Sequence, residues 1–504
     1  MTTSFAGRGG GRGPAVEGPA GPPAPSDPPV RRDVVTCFLR HRAEVLLVRR
    51  SARVGSYRGR WGAVAGHVET EDPLLDARRE VEEETGLSDA VTLVKRGAPF
   101  DVDDPDSGRR WRVHPFLFDV SRRDAVLDWE AVEATWAPPT AILERNCVPR
   151  LWTSYAHVAP TLEAVRADRE HGSAYLSLRA LEALRDRAAA DAAGVEAPGD
   201  EAPGAGEPGG ERAVDGEERV PTPGAGPAPA DADALRGLAR ALREAQPAMT
   251  ALRNRLDRAM SAARAATGGT VAGGAGGASG AWPRAVAAAA QDTLERALEA
   301  EEGVVAEAAR LVAGRRVLTL SLSATVAGAL LAAEPSPERV VVAESRPGGE
   351  GRTLVGRLAA RGIDVTLVPD AAVAWALERF GLDLALVGAD TVLPGGDVVN
   401  KVGTRPLALA AREAGVPCLA AAARDKIAAE GRAWDEAAAG ETADAEGGGA
   451  PGPDPGARER WRAPLFERTP AALVGGIVTE AGVLDAAGVR RAAAEHGRRR
   501  GWDR

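Results

Sequence analysis

The chain is predicted to be an α/β protein in two folded units, and three observations carry that expectation. From about residue 315 onward, strand-like runs alternate strictly with helical patterns. Near the start, residues 34–87 read as strand, strand, loop and helix. Runs poor in large apolar side chains separate these parts. At 504 residues the chain exceeds one ordinary domain and is long enough to bury two sizeable cores.

The elements follow in order. Residues 1–31, rich in Gly, Pro and Arg with almost no large apolar side chains, are expected to form a disordered tail; residues 191–231, rich in Ala, Gly, Pro, Asp and Glu, are expected to be a linker. The first unit spans 32–190. In it Val34–Leu39 and Val45–Val48 read as strands joined by a polar turn at His41-Arg42, and Trp61–Val64 leads into a helix-forming stretch. Trp111–Val120 reads as a later strand and Leu176–Ala190 as a polar-apolar helix near the end of the unit. The second unit, 232–504, opens with helices over Ala232–Ala245, Met249–Ala266 and Trp282–Ala313, a helical part running to 314. In 315–504, strands at Val317–Leu320, Val340–Ala343, Val365–Val368, Leu384–Val387 and Cys418–Ala421 alternate with helices, the pattern of a parallel, doubly wound sheet. An acidic low-complexity run at about 432–458 interrupts this part as a surface insertion.

Composition excludes some functions. Asp and Glu (72) outnumber Lys and Arg (63), and the net charge of −9 argues against a general binder of nucleic acid or membrane surfaces. Cys37, Cys147 and Cys418 are odd in number and lack metal-ligand spacing, which suits a reducing compartment without a disulfide framework. With no apolar run of spanning length and no apolar core of a signal peptide, a cytoplasmic location is expected.

The stretch carrying the most chemistry is AGHVETEDPLLDARREVEEETGL, residues 65–87. On a helix Glu80 lies three and four residues before Glu83 and Glu84, so these three share a face while Glu82 turns away. Hard oxygen ligands suit Mg²⁺ or Mn²⁺, which bridge protein carboxylates and substrate phosphates, and cleavage of a diphosphate is the reaction such a site serves. The competing interpretation is a solvated acidic face paired with Arg78 and Arg79.

These residues resemble the Nudix box. Arg79, Glu80, Val81, Glu83, Glu84, Gly86 and Leu87 match its second half, and Glu71 falls at its first Glu; the expected Gly position is Ala65, with Gly66 one place late. The resemblance implies an α/β/α sandwich, Glu80, Glu83 and Glu84 as metal ligands, Glu83 and Glu84 also as catalytic carboxylates, and Arg79 orienting a carboxylate. It leaves either Glu71 or Asp72 as the outer carboxylate, and the general base unplaced. Trp61 either packs in the core or stacks on a base.

The second half resembles the family of the α, β and δ subunits of translation initiation factor 2B, with ribose-1,5-bisphosphate isomerase and methylthioribose-1-phosphate isomerase. The segments AQPAMTALRN (245–254), VLTLSLSATV (317–326), ESRPGGEGR (344–352), VGAD (387–390), NKVGT (400–404) and FERTPAALVGGIVTEAG (466–482) carry it. The resemblance implies a helical part, a Rossmann-like part and homo-oligomers formed through this unit, and it makes translation factors candidate partners.

Ligands of doubly wound sheets bind at the carboxyl ends of the strands, where Ser321, Ser323, Arg346, Asp370 and Asp390 fall. Arg346 and Arg352 can grip a phosphate, Asn400 and Lys401 join from the NKVGT segment, and the helix opening after Ser323 favours an anion. Lys401 stands out because lysine occurs otherwise only at Lys95 and Lys426. In the isomerases a Cys and an Asp form the acid/base pair; Asp390 matches the Asp, but Ser321 stands at the Cys position, and a hydroxyl is a far weaker acid than a thiol. The expected function is therefore a Mg²⁺- or Mn²⁺-dependent hydrolase of a nucleoside diphosphate-linked compound, ADP-ribose-like, fused to a binding module for a phosphorylated sugar or nucleotide. The alternatives are a ribose-phosphate isomerase with an accessory first unit and a non-catalytic regulator related to the initiation factor.

Overall fold

The computed structural model describes residues 31–104, 109–168, 171–199, 232–247, 249–268, 280–430 and 464–503. The expected acidic insertion, the tail before Arg31 and residues 200–231 of the expected linker lie outside them. Among the described residues no helix is long and apolar enough to cross a membrane, and all three cysteines are free thiols.

The first unit is built on one mixed sheet. Its strands are β1 (Arg31–His41), β2 (Glu44–Arg50), β3 (Trp61–Gly62) and β4 (Val64–His67), then, after helix α1 (Pro73–Thr85), β5 (Val91–Arg96), β6 (Phe100–Asp104), β7 (Arg109–Val120) and β8 (Ala131–Ala137). The order β3-β2-β1-β7-β5 forms its spine, with β1 and β7 parallel and β4, β6 and β8 paired to β1, β7 and β2. The alternation of apolar residues in Val35, Cys37 and Leu39 buries one face of β1 against Ala77 and Val81 of α1. The opposite face, with Phe38, packs on α2 (Ala141–Glu144) and α3 (Leu151–Ala156). Strands β5, β6 and β8 were not expected from sequence: few of their residues are fully buried, and they are held as strands by pairing with β7 and β2.

After α4 (Leu162–Ala167) comes α5 (Ser173–Ala193), three residues longer at each end than the expected helix and deeply buried along its length. Its apolar residues Ala180, Leu181, Leu184 and Ala188 join the core formed by α6 (Ala232–Ala245), α7 (Thr250–Ala266) and α8 (Ala281–Val312). The helix read as the outer edge of the first unit therefore lies between the two units. The boundary drawn at 190 falls inside it, and its buried charges, described below, gave it a misleading polar appearance.

The second unit contains the expected doubly wound sheet. Its elements are β9 (Arg316–Leu320), α9 (Ala324–Ala332), β10 (Arg339–Ala343), α10 (Gly351–Ala359), β11 (Val365–Val368), α11 (Val373–Phe380) and β12 (Leu384–Gly388). There follow β13 (Thr391–Val392), β14 (Val398–Lys401), α12 (Thr404–Glu413), β15 (Cys418–Ala421), β16 (Phe466–Thr469), β17 (Ile477–Thr479), β18 (Gly482–Leu484) and α13 (Ala486–Arg498). The order is β11-β10-β9-β12-β15-β17-β18, parallel except for the last pair. Strand order thus reverses between β9 and β12, the switch point at which such sheets open a ligand crevice. A small antiparallel sheet, β13-β14-β16, stands beside it; its strands are too short for a sequence signal.

Candidate functional site

In the first unit α1 is started and stopped by its own residues. Asp72 caps it by accepting the Leu74 N–H at 3.1 Å, Pro73 occupies the first turn, and Gly86 ends it with φ 64°. The carboxylates lie at different depths. Glu84 is buried and its Oε1 accepts the Ala65 N–H at 3.0 Å, while Glu83 is exposed and pairs with Arg79 at 3.4 Å. Glu80 lies between, its carboxyl pressed on Gly66, where an added Cβ would come within 1.9 Å of it. The glycine that the sequence places one residue late thus stands where no side chain fits, and Ala65 serves through its backbone.

Arg79 is surrounded by acceptors: Glu80 at 3.0 Å, Asp76 at 3.2 Å, Glu69 at 3.7 Å and the His67 carbonyl at 3.3 Å. Asp76 was missed in the sequence, although its place three residues before Arg79 is a signal. Burial would raise its carboxyl, but hydrogen bonds from the Thr70 hydroxyl and N–H and from Arg79 hold it below the usual range. Glu71 is exposed, Asp72 is engaged by the helix cap and by Arg96 at 3.2 Å, and neither lines the cleft.

Burial pushes Glu80 up to about 7, against the Arg79 charge and helped by Glu83, Glu130 and Glu69. Burial likewise pushes Glu84 up to about 8, opposed by the Ala65 N–H and helped by Glu130, Glu80 and Asp128. Glu130, on the loop before β8, lines the same cleft of about 440 Å³. It lies outside the motif, and its place follows only from the β2–β8 pairing. No three acidic, His or Cys side chains among the described residues form a closed cation cage. The set fits a hard cation held by one or two carboxylates and completed by substrate phosphate: all donors are oxygens, and Arg79 offsets their mutual repulsion only in part.

At the switch point of the second sheet, Ser321 follows β9 with φ 60°, and Ser323 caps α9 by accepting the Val326 N–H at 3.4 Å. Gly388 at the end of β12 packs on Ser323, where a Cβ would come within 2.6 Å of its Oγ. Burial raises the Asp390 carboxyl, against the pull of Lys426 and Lys401, and the Ser173 hydroxyl at the start of α5 approaches it without closing a well-formed hydrogen bond. Lys426, missed as a site residue, donates to the Ala389 carbonyl at 2.9 Å. Asn400 donates to Thr404 at 3.0 Å, and Lys401 pairs with Glu350. Arg346 and Arg352, expected as a phosphate grip, both turn to Glu344, at 3.2 and 2.8 Å. Asp370 accepts the Ser345 and Arg346 N–H groups at 2.7 Å and holds that loop.

A carboxylate cleft behind a glycine strap, joined to a doubly wound sheet with polar groups at its switch point, defines a two-unit α/β protein with two candidate ligand sites. The chain belongs to the initiation factor 2 subunit family, whose family model matches residues 228–486, and residues 30–158 match the NUDIX domain. It is 39% identical over 174 residues to a probable bifunctional methylthioribose-1-phosphate isomerase/methylthioribulose-1-phosphate dehydratase of Nocardia farcinica, covering 33% of this chain and 31% of that one. It is 38% identical over 115 residues to ribose 1,5-bisphosphate isomerase of Archaeoglobus fulgidus, covering 22% and 36%. The chain thus spans less than half the length of these curated relatives. Among solved structures, translation initiation factor eIF-2B of Pyrococcus horikoshii gives a TM-score of 0.45 at 22% identity, over 64% of this chain and 94% of that one. The tetrameric eIF2B-beta2-delta2 complex of Chaetomium thermophilum gives 0.48 at 16%, over 71% and 98%.

Proposed function

We propose that the first unit hydrolyses a nucleoside diphosphate-linked compound with the help of Mg²⁺ or Mn²⁺, and that the second binds a phosphorylated sugar or nucleotide. The observation supporting this most is the placing of Glu80, Glu83 and Glu130 in one cleft, with the buried Glu84 on the same helix behind them. Glu80 and Glu83 face the cleft and are suited to hold the cation, with Glu84 behind them. Bound there, a divalent ion supplies charge neutralisation of the diphosphate and a lowered pKa for a water. Arg79 keeps the Glu80 carboxylate in place, and Glu130 is positioned to take a proton from water. An ADP-ribose-like substrate makes the fusion coherent, since cleavage between its phosphates yields ribose phosphate and AMP. The test is metal-dependent turnover of a nucleotide panel by wild type, Glu80→Gln and Glu84→Gln. Loss of about 100-fold or more in both variants is expected, and a panel without turnover rejects the reading.

A second reading, sugar-phosphate isomerisation at Asp390, is favoured by its raised carboxyl and by the relatives' names. Ser321 weighs against it, because proton transfer between carbons needs a stronger acid than an alcohol. Isomerised product lost on Asp390→Asn and kept on Glu84→Gln would establish it.

A further inference from the structure

Four carboxylates of the second unit each sit on a cation or N–H group of the kind that binds phosphate, and they are not equally well held. Glu344 takes Arg352 and Arg346 at 2.8 and 3.2 Å, and Asp370 accepts the Ser345 and Arg346 N–H groups. Glu467 accepts the Gly403 and Arg405 N–H groups at the start of α12, at 2.7 and 2.9 Å. Glu350 is the exception. Its Oε1 meets Lys401, while its Oε2 is buried and has no hydrogen-bond partner among the described residues. A stranded acceptor costs free energy that a fully bonded carboxylate does not, so Glu350 is the acid most readily exchanged.

The geometry fixes Lys401 and leaves Glu350 able to move. Lys401 ends β14, and its Nζ lies 5.8 Å from the ring centre of Phe466, its register partner in β16. The loop carrying Glu350 is tied through its backbone, Gly349 donating to the Ser345 carbonyl at 2.7 Å and Gly351 to the Glu344 carbonyl at 3.1 Å. The carboxyl itself is folded back over Gly348, where an added Cβ would come within 2.4 Å of its Oε1. The Glu350 side chain is 34% exposed, so it can swing outward without any shift of the backbone. A phosphate brings more oxygens and more charge than a carboxylate with one oxygen engaged, and Lys401 holds it the more strongly.

We propose that Glu350 is a specificity-determining residue of the second site: it occupies Lys401 in the free chain and admits a ligand whose phosphate displaces it. The apparent affinity of a phosphate ligand is then reduced by the fraction of molecules in which Glu350 is seated. A neutral sugar has no group to exchange with the carboxylate and gains nothing from Lys401. The inference rests on the reading of the second unit as a site for phosphorylated ligands and adds what selects them.

Calorimetric titration of the full chain with ribose 5-phosphate and with ribose tests it, in EDTA so that no divalent ion holds the sugar phosphate at the first unit. Glu350→Gln removes the competing charge and keeps the shape, and it is expected to bind ribose 5-phosphate about tenfold more tightly than wild type. Gly348→Ala should act in the same direction, by about threefold or more, because its methyl pushes the carboxyl off its seat. That methyl meets the movable end of a side chain, so the melting temperature should stay within about 2 °C of wild type. Neither gain should survive in combination with Lys401→Met, and ribose should gain nothing in either variant. Ribose 5-phosphate bound by wild type as tightly as by Glu350→Gln, or more tightly, overturns the competition and leaves the site itself in place. An equal gain for ribose, or a gain that persists without Lys401, also overturns it. Absence of ribose 5-phosphate binding in wild type and in both variants rejects the phosphorylated-ligand reading and the competition with it.

Discussion

Gly66 and Glu80 form the tightest pairing in the first unit, and each explains the other. A Cβ at residue 66 would meet the Glu80 carboxyl at 1.9–2.3 Å. What it meets is the movable end of a long side chain, so Gly66→Ala is expected to swing the carboxylate away at small cost in stability. Metal-dependent turnover should fall by tenfold or more while the melting temperature moves by about 2 °C or less; a fall in both together would show that the strap and not the carboxylate was disturbed. Glu80 and Glu84 also make stability depend on pH. Their carboxyls titrate near 4.5 when unfolded but are pushed up to about 7 and about 8 in the folded chain. Between about pH 4.5 and 8 the folded state binds more protons than the unfolded one, so stability falls as pH rises through that window. Thermal melts without metal should show this slope, Glu84→Gln should flatten it, and Mg²⁺ should raise the melting temperature more at pH 8 than at pH 5.

At the scale of elements, the glycine at the end of β12 decides whether the switch point stays open. Gly388→Ala would drive a methyl to 2.6 Å from Ser323 Oγ and 2.8 Å from its Cβ, against the cap of α9. Little there can yield, and a loss of about 1–3 kcal/mol is expected from overpacking, read as a lowered denaturation midpoint together with weaker sugar-phosphate binding. The elements that sequence made legible are those whose burial shows in their own residues. The apolar runs of β9, β10, β11, β12 and β15, and the long periodic helices α6, α7 and α8, lie within a residue or two of expectation. Strands β5, β6 and β8 are held by pairing with β7 and β2, and β13, β14 and β16 are two to four residues long, so neither set leaves a pattern. The same division applies to the site residues. Arg79, Glu80, Glu83 and Glu84 follow from helical spacing, whereas Glu130 and Lys426 reach their sites from distant loops that only the folded sheet brings near. The turning of Arg346 and Arg352 to Glu344 is a third case, since a competing anion eight residues from Arg352 has no signature of its own.

Across the whole molecule the two units are joined by charge buried around α5. Glu182 meets Arg40 of β1 at 3.4 Å and Arg179 at 3.0 Å; Arg185 meets Asp186 at 2.8 Å and Gln291 of α8 at 2.9 Å. Arg255 of α7 is fully buried and donates to Ser177 of α5 at 2.7 Å, to Glu301 of α8 at 3.0 Å and to Asp425 at 3.3 Å. Asp425 is the neighbour of Lys426, which holds the Ala389 carbonyl beside Asp390. Arg255 thus ties the helix shared by the units to the loop behind the second ligand site. Such groups stabilise weakly when intact, because burying them costs nearly what their attraction returns, but removing one partner strands the others. Arg255→Met keeps the apolar volume and strands Glu301, while the Ser177 hydroxyl keeps its bond to the Ala174 carbonyl at 3.0 Å and Asp425 retains Arg258 at 3.1 Å. A loss of about 3 kcal/mol is expected, and it should fall on the joint more than on either core. Calorimetry of the wild type should give one cooperative transition, and Arg255→Met should split it in two, with ligand at the second unit stabilising only one component. Two separate transitions already present in the wild type would mean that α5 packs between the units without making them unfold together.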